Sequence, residues 1–196
     1  FGKDAGTAIT TGDYNDAFGA NALLANTTGD RNTAFGRGSL GSNTTADNNV
    51  AVGYNTLGSN TTGSQNVAIG PYALDSATTA NSNTIIGYDA ASALTTGWGN
   101  VAIGDQAMGD GVVTGNSNNC IGYQAGENLT SGSNNNFFGY TAGEGTTTGE
   151  YNVAIGRDAL EENTTGSNNT AVGTRALEAN TTGGSSVAVG AYSLDA

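Results

Sequence analysis

Apolar and polar residues recur along this chain with a fixed period, and the recurring unit is five residues long. It reads Asn-Val-Ala-Ile-Gly at residues 66–70, and close variants return along the whole chain. The glycines that close these units are 17 residues apart, except for one interval of 18 residues. They are Gly2, Gly19, Gly36, Gly53, Gly70, Gly87, Gly104, Gly122, Gly139, Gly156, Gly173 and Gly190. A short period kept over a whole chain is typical of a solenoid, in which each repeat forms one turn.

We number the repeat from 1 to 17, so that Asn66 is position 1 and Gly70 is position 5. Position 3 is nearly always Ala, and position 4 is always large and apolar. The residues at position 4 are Phe18, Phe35, Val52, Ile69, Ile86, Ile103, Ile121, Phe138, Ile155, Val172 and Val189. Neighbouring side chains of a strand point to opposite faces. Positions 2 to 4 therefore predict a short strand, and the pattern leaves open which of positions 3 and 4 lies on an intermolecular axis.

Positions 9 and 12 of the repeat change together. Position 9 is usually Leu and position 12 is then usually Asn, as at Leu57 and Asn60. Where position 9 is small, position 12 is often large, as at Ala91 and Leu94. The same exchange occurs at Gly6 with Ile9 and at Gly126 with Leu129. We predict one core pocket per turn, filled from either position, because two large side chains would overpack it and none would leave a cavity.

Other repeat positions predict corners and ladders. Asn at position 1 can hydrogen-bond from turn to turn, as stacked Asn side chains do in parallel assemblies. Gly at position 5 predicts a corner that needs a positive φ or a close backbone approach. Thr-Thr-Gly at positions 13 to 15 predicts a second, half-exposed strand that ends at the glycine. One turn, with Gly143 and Thr146, has no large residue at position 9 or 12, and we expect Phe137 to fill its pocket.

These patterns predict an all-β parallel β-solenoid without helices. Eleven to twelve turns at the spacing of neighbouring strands would make a rod of roughly 55 Å. We expect residues 1–196 to form a single repeat domain, with the extra residue of the longer turn in a loop around Gly109-Asp110-Gly111. The sequence begins and ends within a repeat, so we expect it to be a piece of a longer array.

Composition narrows the function classes. The net charge is −12 with only five Lys and Arg residues, which argues against nucleic acid, since phosphate binding needs cationic side chains. There is no His, so Ser-His-Asp and Cys-His catalysis are excluded. The single Cys120 gives no disulfide or zinc framework. The 17 carboxylates occupy scattered repeat positions. We therefore expect no enzyme, no cofactor and no metal site, apart from adventitious ions near Asp110 or Glu161–Glu162.

Tyrosine recurs at position 6, just after the corner glycine. The residues are Tyr54, Tyr88, Tyr123 and Tyr140, with Tyr72 and Tyr192 beside them at position 7. Stacked exposed aromatic rings can bind sugar rings or protein surfaces. The alternative is that these side chains only shield the corner and pack on one another. We take this tyrosine edge as the candidate binding site.

The Asn-Val-Ala-Ile-Gly unit, followed by a small residue and a Leu, resembles the head repeats of trimeric autotransporter adhesins of the YadA type. The longer form, with Ala-Leu and Asn-Thr-Thr-Gly, resembles repeats of phage tail fibres. The resemblance covers essentially the whole chain, although the period of 17 residues is longer than that of those adhesin heads. It implies a left-handed parallel β-roll, assembled as a parallel homotrimer on the outside of a bacterial cell or a virion.

We therefore expect a structural and adhesive segment of an extracellular trimeric fibre, such as an adhesin head or a tail-fibre shaft. Its partners would be two further copies of the chain and a host-surface glycan or protein, with no nucleic acid and no insertion into a membrane. The alternative is an ice-binding β-solenoid that uses the Thr-Thr ladder. Because the two threonines are adjacent and should point to opposite faces, only one row could face ice.

Overall fold

A computed structural model describes residues 2–109 and 112–195. It confirms the predicted fold class: the described residues form a β-solenoid of eleven parallel strands, one per turn, and no helix. Each strand has three residues, at positions 2 to 4 of the repeat. The strands are β1 (Asp16–Phe18), β2 (Thr33–Phe35), β3 (Val50–Val52), β4 (Val67–Ile69), β5 (Thr84–Ile86), β6 (Val101–Ile103), β7 (Asn119–Ile121), β8 (Asn136–Phe138), β9 (Val153–Ile155), β10 (Thr170–Val172) and β11 (Val187–Val189).

The strands pair in the order of the sequence, so that each turn lies on the turn before it. The register keeps equal repeat positions side by side, as Ala34 beside Ala51 and Ala51 beside Ala68. Across the longer turn the register is also kept, with Val101 beside Asn119. The extra residue is therefore absorbed after β6 and before β7. Of the loop predicted there, Asp110 and Gly111 lie outside the described residues.

Position 3 faces the core, and position 4 faces outward. Ala51 and Ala68 are fully buried, whereas Phe35 is 53% exposed and Ile69 is 38% exposed. The interior is filled by position 3 together with the small residue at position 8 and the large residue at position 9, for example Ala73. Most turns thus bury one large side chain, two turns bury two (Ile85 with Leu94, and Met108 with Val113), and the apolar residue at position 4 stays outside the core.

Contacts in individual turns support a pocket shared by positions 9 and 12, although the longer turn buries two large side chains, Met108 and Val113. A Cβ atom placed on Gly126 would lie 3.1 Å from Cδ1 of Leu129, which reaches the space that Leu occupies in other turns. A Cβ atom on Gly143 would lie 2.7 Å from carbons of the Phe137 ring. Phe137 is fully buried, so it does fill the pocket that Gly143 and Thr146 leave.

Two ladders of buried Asn side chains run along the interior. The ladder at position 1 was predicted: Nδ2 of Asn66 donates to Oδ1 of Asn49 (3.2 Å) and to the carbonyl oxygen of Ala80 (2.8 Å). The second ladder, at position 12, was not predicted. There, Nδ2 of Asn43 donates to Oδ1 of Asn26 at 2.8 Å. Asn at position 12 therefore does more than occupy space beside Leu, because it forms a hydrogen bond to the neighbouring turn.

The prediction of a second regular strand at positions 13 to 15 is wrong. These residues nevertheless form backbone hydrogen bonds with the same positions of the neighbouring turn. The carbonyl oxygen of Thr44 accepts hydrogen bonds from the backbone N–H groups of both Thr27 (2.8 Å) and Thr28 (3.2 Å). The Oγ1 hydroxyl of Thr27 donates to the same carbonyl at 3.0 Å. Two successive N–H groups that point at one carbonyl indicate a bend, because a strand ladder spreads its bonds over successive residues.

The backbone of each turn uses more left-handed residues than the glycines reveal. The predicted corner at position 5 is confirmed, with φ +140° at Gly53 and +130° at Gly70. Position 9 is also left-handed, with φ +51° at Leu57 and +55° at Leu74. Leucine rarely adopts this conformation, which costs roughly 1–2 kcal/mol per residue. Burial of the leucine side chain, worth about 1.5–3 kcal/mol, offsets that cost.

Candidate binding surfaces

The structure brings the position-6 tyrosines together in two groups. Tyr54 and Tyr88 each contact the ring of Tyr72, at centroid distances of 5.2 and 6.3 Å in edge-to-face geometry. Tyr123 and Tyr140 stack on each other at 5.1 Å. All four position-6 rings are exposed. The turn between the two groups has Asp105 at position 6, so the predicted edge is interrupted.

The first group carries a cation and neutral phenols. The Arg37 guanidinium lies 5.6 Å from the centroid of the Tyr54 ring, and its Nη1 donates to the Tyr54 hydroxyl at 3.4 Å. Desolvation, with smaller contributions from Tyr54 and Tyr88, raises the pKa of Tyr72. The Tyr72 hydroxyl is therefore protonated at neutral pH and can both donate and accept a hydrogen bond.

An open groove lies in the same turns as this first group. Its volume is about 330 Å³, and it crosses positions 7, 10 and 11 of four successive turns. Its lining residues are Asn21, Leu24, Gly38, Gly41, Ser42, Asn55, Gly58, Ser59 and Asp75. In the turn after Asn55, position 7 is occupied by Tyr72. The groove therefore extends to the turn that carries this ring. The groove was not predicted. The glycines at positions 7 and 10 of adjacent turns could have indicated it, because they lack side chains that would fill the surface.

A column of glutamates lies on the same side of the solenoid, further along the chain. Position 10 is Glu in four successive turns: Glu127, Glu144, Glu161 and Glu178. The structure thus corrects the expectation that the carboxylates are scattered. Desolvation raises the pKa of Glu161, and the charges of Asp158, Glu144 and Glu178 add to this, so the column is electrostatically coupled.

Asp158 adds its own charge to this column, and two arginines and a hydroxyl bind its carboxylate. Its Oδ2 lies 3.4 Å from Nε of Arg157 and 3.4 Å from Nε of Arg175, and its Oδ1 accepts from Oγ1 of Thr141 at 2.7 Å. Arg175 also contacts Glu178 at 3.4 Å. Within residues 2–109 and 112–195, no three acidic or Cys side chains are placed to share a metal ion.

The outer face of the sheet carries a row of apolar side chains at position 4, beside a mixed row of valine, threonine and asparagine at position 2. Positions 2 and 4 both point outward, and between residues 16 and 189 their only charged member is Asp16. The rings of Phe18 and Phe35 stack on this face at a centroid distance of 4.8 Å. Further along the strip, Ile155 is 42% exposed. We call positions 2 and 4 of β1 to β11 the outer strip.

Cys120 takes no part in any of these surfaces. It occupies position 3 of β7 and is fully buried. Burial raises the pKa of its thiol, so the thiol is protonated and acts as a small apolar side chain. No helix long and apolar enough to cross a membrane occurs in the described residues.

Sequence and structure comparisons add no relative to these observations. No family model matches the chain, and no curated protein or solved structure is significantly similar to it. Function must therefore be argued from the outer strip, the tyrosine groups and the groove.

Proposed function

We propose that this chain is a structural and adhesive segment of an extracellular trimeric fibre, which projects from a surface and presents a binding face. The outer strip is the observation that carries the proposal. Position 4 is apolar in all eleven strands, although position 2 is polar in six of them, and side chains such as Phe35 and Ile69 are exposed in a single chain. Single-chain soluble proteins rarely expose apolar patches of that extent, and larger patches mark interfaces.

The distribution of charge supports association of identical chains through the outer strip. The chain carries a net charge of −12, which would repel other copies. Acidic side chains at position 10, such as Glu144 and Glu161, lie on a part of the turn different from positions 2 and 4. Three parallel copies with their strips on a common axis would bury the apolar residues and keep these charges apart in solvent. Closed cyclic symmetry is the usual arrangement for identical chains, and the resemblance to fibre repeats favours three.

The mass in solution tests this assembly. Light scattering on the purified chain should give three times the chain mass of 19.4 kDa. The double variant Ile69→Lys with Ile155→Lys should give the mass of one chain, because both side chains are already partly exposed and the lysines need not disturb the core. Circular dichroism should remain that of the β-solenoid.

A matched control places the same charges elsewhere. Thr62→Lys with Thr148→Lys adds two lysines at exposed positions 14 of other turns, and this variant should keep the assembled mass. A monomeric mass for the unmodified chain at micromolar concentration would overturn the trimeric fibre.

Ice binding is a second candidate because position 14 forms a regular exposed row. Its members are Thr11, Thr28, Thr45, Thr62, Thr79, Thr96, Thr114, Ser131, Thr148, Thr165 and Thr182. The adjacent row at position 13 has its hydroxyls engaged, as Oγ1 of Thr44 donates to the Thr61 carbonyl at 3.0 Å. A single row of free hydroxyls is a narrow contact for a crystal face, so we rank this function second. Thermal hysteresis by the unmodified chain, and its loss in the double variant Thr62→Lys with Thr96→Lys, would reverse this ranking.

A further inference from the structure

The groove beside the first tyrosine group exists because glycines stand where other turns have long side chains. Gly41 and Gly58 occupy position 10, the position of Glu144 and Glu161 in later turns. At position 7, Gly38 leaves room for the side chain of Asn55, whose Oδ1 lies over it. The same side of the solenoid is therefore open over the early turns and filled over the later ones.

The polar groups that line the groove are free to bind a ligand. Within the described residues, the side chains of Asn21, Asn55 and Ser59 make no hydrogen bond to the chain. Two amides and a hydroxyl offer donors and acceptors together. Asp75 adds a carboxylate at the end near Tyr72, and it contacts Oγ of Ser76 at 3.4 Å.

The aromatic end adds a surface of a different kind. Tyr72 and Tyr54 belong to the last turns of the groove, and their rings lie 5.2 Å apart in edge-to-face geometry. Such rings present an apolar face and a polar tip. A sugar ring likewise has an apolar C–H face and a rim of hydroxyls, so the two rings in the last turns of the groove match its face and the polar lining matches its rim.

We propose that this groove binds a neutral oligosaccharide, with the Tyr54 and Tyr72 rings against one sugar and the free amides of Asn21 and Asn55 on the hydroxyls of the next. Four turns span about 14 Å at the spacing of neighbouring strands, which suits several sugar rings better than one. The volume of about 330 Å³ lies within the usual range of ligand sites. The Asp75 carboxylate and the net charge of −12 disfavour a polyanionic glycan.

This inference rests on the proposed presenting role and assigns that role a ligand class and a location. It also narrows the predicted tyrosine edge to one of its two groups. Tyr123 and Tyr140 lie on the side of the interruption away from the groove, so the proposal gives them no part in binding.

Titration of the purified chain with a panel of neutral hexose oligosaccharides, followed by calorimetry, tests the site. Gly58→Gln should weaken binding at least about tenfold, because it places a long side chain in the groove. The fold should tolerate it, since position 10 carries Glu in other turns and Gly58 does not have a positive φ. Tyr54→Ser with Tyr72→Ser should weaken binding similarly without filling the groove.

Each variant has a matched control. Glu144→Gln puts the same amide at position 10 outside the groove, and Tyr123→Ser with Tyr140→Ser removes the other tyrosine group. Both controls should bind as the unmodified chain does. No binding of any neutral oligosaccharide, equal binding by Gly58→Gln, or binding of anionic glycans or peptides alone would overturn the proposal.

Light scattering on the same samples tests the trimeric fibre independently of the oligosaccharide site. A monomer that still binds oligosaccharide in the groove would refute the trimeric fibre and keep the site. A trimer that binds none would keep the fibre and refute the site.

Discussion

Oδ1 of Asn60 has no hydrogen-bond partner because Ala77 follows it in the position-12 ladder. It is the only buried side-chain nitrogen or oxygen without a partner among the described residues. Asn43 and Asn60 each donate to the Asn of the preceding turn, as Nδ2 of Asn60 does to Oδ1 of Asn43 at 2.9 Å. Ala77 has no donor, so the ladder ends on an unpaired acceptor.

A donor at residue 77 should repair this end of the ladder. Ala77→Ser places a hydroxyl where it can donate to Oδ1 of Asn60, and we expect a gain of about 1 kcal/mol in the free energy of unfolding. Denaturant unfolding measures the change. Ala77→Asn should gain less, because its own Oδ1 would become the unpaired acceptor beside Leu94.

A double-mutant cycle supplies the control for this prediction. In an Asn60→Ala background the acceptor is gone, so Ala77→Ser should give no gain there. An equal gain in both backgrounds would mean that the hydroxyl acts on something other than Asn60.

The pocket shared by positions 9 and 12 can be tested where no ladder hydrogen bond interferes. Leu94→Ala should cost about 2–5 kcal/mol, the range for truncating a buried leucine. Adding Ala91→Leu should restore much of the loss, because the pair would then repeat Leu74 and Ala77 of the preceding turn. Ala91 already has a positive φ of +45°, close to that of Leu at this position.

Leu57 and Asn60, the first pair that the sequence suggests for this test, are less suitable. Leu57→Ala followed by Asn60→Leu would remove the hydrogen bonds of Asn60 to Asn43 and to the Gly63 carbonyl, at 2.9 Å each. That loss would mask the rescue. If Ala91→Leu fails to stabilise the Leu94→Ala variant, the two positions do not share one pocket.

The corner glycines should be intolerant of a side chain. Gly70 has φ +130°, and a Cβ atom there would overlap the carbonyl oxygen of Gly87 in the next turn. Gly70→Ala therefore combines backbone strain with a clash against rigid backbone. Gly99 is the matched comparison: its φ is +68°, but the nearest contact of a Cβ atom would be Oγ of Ser117 at 3.6 Å.

We expect Gly99→Ala to lower the free energy of unfolding by roughly 1–2 kcal/mol, the cost of the left-handed conformation. Gly70→Ala should lower it further, and thermal and denaturant unfolding should rank the two alike. An equal loss of unfolding free energy in the two variants would show that the close approach of successive turns at Gly70 does not add to the cost of a side chain there.

The period of the sequence was enough to predict the fold, because solenoid turns place equal positions side by side. The strand at positions 2 to 4, the Asn66 ladder and the Gly70 corner all follow from residue types that suit one local geometry. The direction in which Ile69 points did not follow, since alternation gives two faces without saying which is inside.

The groove was harder to anticipate than the strands. Gly58 and Gly41 look like ordinary glycines of the repeat until the structure places them beside Asn55 and one another. The tyrosine edge and its interruption at Asp105 can both be read from the sequence, but which rings touch across turns cannot. The left-handed φ of Leu57 could not be predicted from the residue type, because leucine disfavours that conformation.

The glutamate column should make stability depend on pH. Desolvation, followed by the charges of Asp158, Glu144 and Glu178, raises the pKa of Glu161 in the folded chain above its unfolded value. The folded state then binds more protons than the unfolded state between these two pKa values. Stability is therefore greatest below the unfolded pKa and is lost as the pH rises through the folded pKa.

Glu161→Gln should raise the melting temperature at pH 7, because it removes a charge that folding places beside other carboxylates. The gain should shrink as the pH falls towards about 4, near the ordinary pKa of a glutamate, since protonation then removes the same charge from the unmodified chain. Glu162→Gln is the matched control, because Glu162 is exposed and its neighbour in sequence. A pH-independent gain, or an equal gain from Glu162→Gln, would show that repulsion within the column is not its cause.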